Sequence, residues 1–130
     1  MEEIVNYVRK CGCFYIATID GDKPRVRPFG VMEIFDRHLY IMTGKKKNVS
    51  KQIQINPNVE ICCSTGETWM RLSGKLVNDD RYEAKSFILD TNPQLKEMYS
   101  ATDDNMEVLY FENGEAIFSS FVSEPKIIKF

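Results

Sequence analysis

The apolar residues of this chain come in strand-sized segments separated by turn signals, and this pattern constrains the fold more than any other feature. Cys13 to Asp20 is rich in aromatic and β-branched residues, and Gly21-Asp22-Lys23-Pro24 follows as a turn. We therefore expect Arg25 to Ile34 to return as the second strand of a hairpin. His38 to Thr43 adds a third strand after a break at Phe35-Asp36-Arg37, so the first third of the chain predicts a meander around one core face.

The second half of the chain continues the same pattern. Its strand-sized segments are Asn58 to Ser64, Thr68 to Asn78, Val108 to Phe111, Glu115 to Phe121 and Lys126 to Phe130. Asn113-Gly114 lies between the third and fourth of these segments and predicts a hairpin turn. Strands outnumber helices, and no Gly-rich phosphate loop follows a strand. The expected fold is therefore mainly β, a small antiparallel β-barrel with flanking helices, rather than a Rossmann or P-loop fold.

Three segments have helical periodicity. The first is a short N-terminal helix that ends near Gly12, and the second runs from Lys46 to Asn56. The third runs from Asp80 to Met98 with a break at Asn92-Pro93. The expected buried positions of the three segments are Ile4, Val5 and Val8, then Val49 and Ile53, and finally Phe87, Ile88, Leu95 and Met98.

A chain of 130 residues fits one domain, which we assign to residues 1–130. The acidic start Met1-Glu2-Glu3 has no secretory n-region or h-region, so we expect a cytoplasmic protein with reduced thiols. The four cysteines form two tight pairs, Cys11/Cys13 and Cys62/Cys63, without the spacing of a metal site. A redox or metal role is the alternative, but cysteines in an apolar strand are typical of small core residues.

The charges are distributed unevenly along the chain. Residues 1–60 carry ten Lys or Arg against seven Asp or Glu, whereas residues 61–130 carry seven against twelve. The stretch from Arg37 to Val59 contains five basic residues and no acid. Because the whole chain has a net charge of −2, this stretch favours a small anion such as phosphate over nucleic acid or a membrane surface. A solvated lysine-rich loop is the alternative interpretation.

Four segments in order carry a resemblance to a known family. They are Gly21 to Gly30, Leu39 to Thr43, the basic helix that leads to Asn56-Pro57-Asn58-Val59, and Trp69 to Lys75. In this order and spacing the chain resembles the pyridoxamine 5′-phosphate oxidase-like flavin-binding proteins over nearly its whole length. The resemblance implies a six-stranded antiparallel split β-barrel that forms a homodimer and holds two FMN molecules in clefts between the subunits.

The resemblance also assigns cofactor-binding residues. It places the strand segment Arg27, Pro28, Phe29 and Gly30 beside the isoalloxazine, with the strand-end pair Met42 and Thr43 next to it. It assigns the phosphate to a lysine clamp of Lys46, Lys47 and Lys51. It also implies that Trp69 and Arg71 reach the flavin from the partner subunit. The choice among Lys45, Lys46 and Lys47 stays open. In the alternative interpretation these residues bind no cofactor: Arg25 and Arg27 lie on an exposed face of the barrel, and Trp69 lies in the core.

The sequence contains no evident general acid or general base for catalysis. His38 follows a turn and is interpreted as a surface residue, while Asp79-Asp80 and Asp103-Asp104 lie where acids cap helices and loops. A flavin that carries the redox chemistry explains this lack. We therefore expect an FMN-dependent oxidoreductase, reduced by a donor such as NAD(P)H and reoxidised by a small molecule. A non-catalytic module that stores or senses a flavin, haem or deazaflavin is the alternative, and a structural dimer with an empty cleft is a third.

Two further expectations follow from the large apolar residues and the C-terminus. True pyridoxamine phosphate oxidases carry a tryptophan and an arginine beyond the last strand that this chain lacks, so pyridoxamine phosphate oxidation is not expected. The barrel interior is small for the large apolar residues of the later strands, so we expect some of them to be buried between two subunits. The candidates are Trp69, Tyr110, Phe111, Phe118 and Phe121.

Overall fold

The computed structural model describes all residues from Met1 to Phe130 and contains three α-helices, one 3₁₀ helix and eight β-strands. None of the helices is long and apolar enough to cross a membrane. In chain order the elements are α1 (Glu2–Cys11), β1 (Phe14–Asp20), β2 (Lys23–Phe29), β3 (Met32–Phe35), β4 (His38–Gly44), α2 (Asn48–Ile55), β5 (Asn58–Ser64), β6 (Thr68–Asn78), α3 (Tyr82–Thr91), the 3₁₀ helix (Pro93–Glu97), β7 (Met106–Ser120) and β8 (Lys126–Lys129).

All strands join one antiparallel sheet in the order β2-β1-β5-β6-β7-β4-β3, and β8 pairs with β7. The mainly β split barrel expected from the sequence is confirmed, with eight strands rather than six. The number six came from the resemblance, whereas the sequence itself contains eight strand-sized segments. Their number is kept because Val108 to Phe111 and Glu115 to Phe121 join into β7, while Arg25 to Ile34 divides in two. Gly30 and Val31 lie outside the ladder, so the segment separates into β2 and β3, which lie at opposite edges of the sheet.

The long strand β7 joins the two parts of the barrel. Its first half, Met106–Tyr110, pairs with β4, its second half, Glu115–Phe118, pairs with β8, and β6 runs along both halves. The register with β6 shifts at Ser73/Lys75, opposite Asn113, which has a φ of 54°. The predicted hairpin at Asn113-Gly114 is therefore wrong, because this pair forms a β-bulge in one continuous strand.

Gly114 stays within the sheet because β8 covers it. Its N–H and carbonyl exchange hydrogen bonds of 2.9 Å each with the backbone of Phe130. The Phe130 ring occupies the space that a Cβ atom at this position would need. A glycine is therefore required here for close approach of the last aromatic residue, and not for a chain reversal.

The helices cover the two hydrophobic clusters of the barrel. The predicted faces of α1 and α2 are confirmed, since Ile4, Val5, Val8, Val49 and Ile53 are all buried in the larger cluster. In the smaller cluster Ile88 and Leu95 are buried as predicted. Met98 is 71% exposed, so its predicted burial is wrong; the 3₁₀ helix ends at Glu97 and leaves the next side chain outside.

The cysteines are all free thiols, and only one is fully buried. Cys63 lies in the core, and burial raises the pKa of its thiol. Cys13 and Cys62 are exposed. No group of three or more His, Cys, Asp or Glu side chains is placed to hold a metal ion.

Candidate functional site

A cavity of about 730 Å³ lies where β2 and β4 end and α2 begins, and residues of the 3₁₀ helix also line it. This volume is in the range of small-molecule and cofactor sites. Half of its fourteen lining residues are hydrophobic. The lining residues are Arg27, Pro28, Phe29, Gly30, Val31, Met42, Thr43, Lys47, Asn48, Val49, Gln94, Leu95, Met98 and Tyr99.

Seven of the eleven residues assigned from the sequence line this one cavity. They are Arg27, Pro28, Phe29, Gly30, Met42, Thr43 and Lys47. The chain brings them together through a turn after β4, in which the Lys47 N–H donates to the Gly44 carbonyl at 3.0 Å. That turn starts α2 directly beside the end of β2.

The other assigned residues lie elsewhere. Lys46 is exposed, and only its backbone N–H makes a contact, with Asn105 Oδ1 at 3.2 Å. Lys51 lines a neighbouring cavity. Trp69 packs on Phe121 with ring centroids 5.0 Å apart, at the start of β6. Arg71 forms an exposed ion pair with Glu60 at 3.0 Å, on the strand that also carries Trp69.

The start of α2 presents unpaired donors to the cavity. Lys47 is the N-cap residue in an extended conformation, no side chain caps the helix, and the first turn contains no acid. The backbone N–H groups of Asn48 and Val49 make no hydrogen bond within the chain. Free N–H groups and the helix dipole make such a start favourable for an anion, and Lys47 adds a full positive charge.

Arg27 is fixed between the sheet and α2. Its Nη1 donates to Thr18 Oγ1 at 2.7 Å and its Nη2 donates to Gln52 Oε1 at 2.8 Å. Thr18 Oγ1 in turn donates to the same Gln52 oxygen at 2.6 Å, which closes a three-membered network. Burial, and then repulsion by Arg25, lower the pKa of the Arg27 guanidinium. Its Nε has no partner in the chain, so this cation retains donor capacity toward a ligand.

Thr43 contributes the one orphaned polar atom. Its Oγ1 is the only buried side-chain nitrogen or oxygen of the chain without a hydrogen-bond partner. A buried hydroxyl without a partner is costly, and in a native site it requires an explanation. Because Thr43 lines the cavity, a polar ligand group is the explanation that the geometry offers.

The cavity wall contains two cations, Arg27 and Lys47, and no carboxylate or histidine. The wall therefore attracts anions and offers no carboxylate or imidazole for general acid–base catalysis. Its hydrophobic residues come from β2, β4, α2, the 3₁₀ helix and the segments that follow β2 and the 3₁₀ helix. A ligand that is planar and apolar at one end and anionic at the other matches this distribution.

Several lining residues were not predicted from the sequence. Asn48 lines the cavity, and Gln52, four residues later on the same face of α2, accepts a hydrogen bond from Arg27 without lining the cavity. This spacing is visible in the sequence. Gln94, Met98 and Tyr99 carry no comparable signal, because the pattern of this segment is typical of a helix packed on a core. Their place above the cavity follows from the break at Pro93 and the 3₁₀ geometry after it.

A second polar cluster lies nearer the start of β4, around Tyr40. The buried Tyr40 hydroxyl donates to Asp79 Oδ2 at 2.6 Å, and Arg81 holds both Asp79 oxygens, with Nε–Oδ1 at 3.0 Å and Nη2–Oδ2 at 2.9 Å. Arg81 Nη2 also reaches Asp36 Oδ2 at 3.2 Å. Hydrogen bonds from Arg81 lower the pKa of Asp79 to about 2, and burial raises the pKa of Tyr40 to about 12. This cluster is structural, since it ties the start of α3 to the β3–β4 turn.

Comparison with solved structures shows close relatives of this fold. A NimC/NimA family protein from Clostridium acetobutylicum is 41% identical, with a TM-score of 0.96 over 100% of this chain and 92% of that chain. General Stress Protein 26 from Bacillus anthracis is 18% identical, with a TM-score of 0.78 over 99% and 97% of the two chains. A pyridoxamine 5′-phosphate oxidase-related, FMN binding protein from Nostoc punctiforme is 13% identical, with a TM-score of 0.67 over 99% and 95%.

A search of the curated proteins found no match. The family model described as "Pyridoxamine 5′-phosphate oxidase" matches residues 1–115, which include every strand except β8 in full or in large part. The match confirms the family that the four sequence segments indicated. The chain belongs to the pyridoxamine 5′-phosphate oxidase family.

Proposed function

We propose that this protein binds FMN in the 730 Å³ cavity and acts as a flavin-dependent reductase of a small molecule. The observation that carries the proposal is the uncapped, acid-free start of α2, which meets one end of a cavity that is otherwise half apolar. A flavin mononucleotide has the same two-part character, with a dianionic phosphate and a broad planar ring. The FMN binding relative from Nostoc punctiforme, which shares the fold, supports the choice of ligand.

Residues at the start of α2 would hold the phosphate. Lys47 supplies a charge, Asn48 and Val49 supply backbone N–H groups, and Arg27 supplies its free Nε donor. Lys51 lies one turn after Lys47 but lines the neighbouring cavity, so the clamp on the FMN phosphate does not depend on it. The exposed Lys46 lies outside the lining, so we assign the clamp to Lys47 in preference to it.

The strand ends would hold the flavin ring. Phe29, Met42 and Leu95 give apolar contact area, and β2 is an edge strand that pairs only with β1. An edge strand has backbone N–H and carbonyl groups without ladder partners, and these can meet the polar edge of the ring. The orphaned Thr43 hydroxyl supplies one more hydrogen bond to a bound cofactor.

The cofactor and the residues of the cavity wall have different roles in this proposal. When bound, FMN supplies two-electron redox chemistry, which the side chains of this cavity do not provide. The protein's residues bind, orient and shield the cofactor, and the cation-rich wall favours an electron-rich, anionic ligand. We propose a nicotinamide donor such as NAD(P)H and a small-molecule acceptor other than pyridoxamine phosphate.

A second copy of the chain completes the site in this proposal. The outer face of β1 and β2 exposes Tyr15, Ile19 and Val26, an apolar patch that a partner would cover. We propose that Trp69 and Arg71 of one subunit approach the flavin of the other. Phe111 takes no part in this interface, because it is buried in the core of its own chain, whereas Phe121 is 84% exposed.

The second candidate function is a non-catalytic module that stores, senses or delivers a flavin or a related cofactor. The cations and apolar residues of the cavity wall support this function as well, because they bind the ligand whether or not it reacts. Steady consumption of NADH or NADPH in the presence of an electron acceptor distinguishes the reductase from the module.

The first experiment is an absorbance spectrum of the purified protein, followed by mass identification of any molecule released on denaturation. We expect a flavin spectrum and the mass of FMN. Titration should then show that FMN binds roughly tenfold to several hundredfold more tightly than riboflavin, because the clamp acts on the phosphate. Equal affinity for the two compounds would show that the phosphate clamp is wrongly assigned.

The dimer is tested with Trp69→Ala. We expect weaker FMN binding, because a large rigid contact from the partner wall is lost. Sedimentation should show a dimer that added FMN stabilises against dilution. A monomer with full FMN affinity would remove the shared site.

A further inference from the structure

A second cavity of about 570 Å³ continues from the first past the start of α2. The two cavities share Arg27 and Asn48, so a ligand bound at the first turn of α2 borders both. One face of α2 lines the second cavity, with residues at the helical spacing i, i+3, i+4 and i+7. These residues are Asn48, Lys51, Gln52 and Ile55.

The two cavities differ in their chemistry. Arg25, Arg27 and Lys51 bring three cations to the second cavity against one acid, Asp20. Only two of its eight lining residues are hydrophobic, whereas half of the residues that line the first cavity are hydrophobic. A hydrophilic anion fits the second cavity, and a planar apolar group does not.

The cations retain unused capacity. Arg25 Nε donates to Asp20 Oδ2 at 3.0 Å, and its two terminal nitrogens make no hydrogen bond in the chain. Lys51 has no ion-pair or hydrogen-bond partner for its ammonium group. Asp20 therefore orients the Arg25 fork without neutralising the cavity, because two of the three positive charges remain uncompensated by any acid of the wall.

We infer that the second cavity binds a second phosphate group, and that the ligand class of this protein includes dinucleotides whose diphosphate runs along this face of α2. The inference rests on the proposed function, since the first phosphate is placed at Arg27 and Asn48. Two dinucleotides have the required chemistry. FAD extends the bound flavin itself, and NADPH is a separate electron donor whose phosphates enter beside bound FMN.

The test compares Arg25→Gln with the unchanged protein after any bound chromophore has been removed. FMN, FAD, and NADPH added to FMN-loaded protein are titrated separately. We expect Arg25→Gln to weaken FAD or NADPH binding by about tenfold and to change FMN binding by less than about twofold. Asp20→Asn removes the single acid of the cavity and should change the same affinity in the opposite direction.

Lys23→Gln is the matched control, because Lys23 is a cation on the same strand that does not line either cavity. It should leave all three affinities unchanged. If Arg25→Gln weakens the binding of FAD, the second phosphate belongs to the flavin cofactor. If it weakens the binding of NADPH, the second phosphate belongs to the electron donor. If Arg25→Gln behaves like Lys23→Gln with both dinucleotides, the inference is overturned. If the unchanged protein binds no flavin at all, the proposed function has failed instead.

Discussion

Strand β4 contributes to two polar clusters that are built in opposite ways. Tyr40 belongs to the cluster around Asp79, in which every buried hydroxyl and carboxylate oxygen has a partner and Arg81 is balanced by two acids. Thr43, three residues later, belongs to the cavity, where a hydroxyl and two helix N–H groups have no partner and no acid balances Lys47. We call the cluster around Asp79 closed, because its buried polar groups are paired within the chain, and the cluster at the cavity open, because its polar groups are not.

The contrast separates structural polarity from binding polarity. A closed cluster has already used its donors and acceptors, so its hydrogen bonds stabilise the fold and offer little to a ligand. An open cluster with an excess of one charge is costly in the free protein and is stabilised when a ligand of the opposite charge fills it. Variants in the closed cluster should therefore alter stability, and variants in the open cluster should alter binding.

The largest effect is expected for Asp79→Ala. This change leaves the buried Tyr40 hydroxyl without its acceptor and releases Arg81, so we expect a loss of about 3 kcal/mol in the free energy of unfolding. Urea denaturation followed by circular dichroism measures it. Asp90→Ala is the control, because Asp90 pairs only with Lys96, at 2.9 Å, and both side chains are exposed, so it should cost less than about 1 kcal/mol. Equal losses in the two variants would contradict a closed cluster at Asp79.

The same cluster predicts an acid-sensitive stability. The pKa of Asp79 is about 2 in the folded chain, below its ordinary value of 3.8, so the folded state favours the ionised carboxylate. This contribution is present above about pH 4 and is lost as the pH falls toward 2, amounting to about 2 kcal/mol. Unfolding free energies of the unchanged protein and of Asp79→Asn should converge by that amount between pH 5 and pH 2. A constant difference across this range would show that Asp79 is not held ionised by Arg81.

In the open cluster, Lys47→Gln should reduce FMN affinity by about tenfold while riboflavin affinity stays unchanged, because only the phosphate meets the lost charge. Fluorescence titration of both compounds gives the ratio. Lys46→Gln changes a neighbouring cation that does not line the cavity and should leave both affinities as they are. The opposite result, with Lys46 mattering and Lys47 not, would move the clamp out of the cavity.

The sequence predicted the buried helix faces, but it did not predict the closed cluster around Asp79. Helix faces such as Ile4/Val5/Val8 follow from periodicity, because burial imposes a regular spacing. The prediction for Asn113-Gly114 was wrong because a β-bulge and a hairpin favour the same residues, and the pairing of β6 along both halves of β7 decides between them. The resemblance over four segments named seven of the fourteen residues that line the cavity, and it did not name Asn48 of α2. The outer wall from Gln94 to Tyr99 depends on how α3 stops, which no local pattern encodes.

The smallest and sharpest effect compares two threonines that are both 2% exposed. Thr18 Oγ1 is bonded to Arg27 and Gln52, whereas Thr43 Oγ1 has no partner. Thr18→Val should therefore destabilise the free protein by about 1 kcal/mol, and Thr43→Val should stabilise it by a similar amount, since it removes an unsatisfied buried hydroxyl. If that hydroxyl serves the cofactor, Thr43→Val should also weaken FMN binding severalfold. A Thr43→Val protein that gains stability and binds FMN with unchanged affinity would leave the hydroxyl without a role in the site.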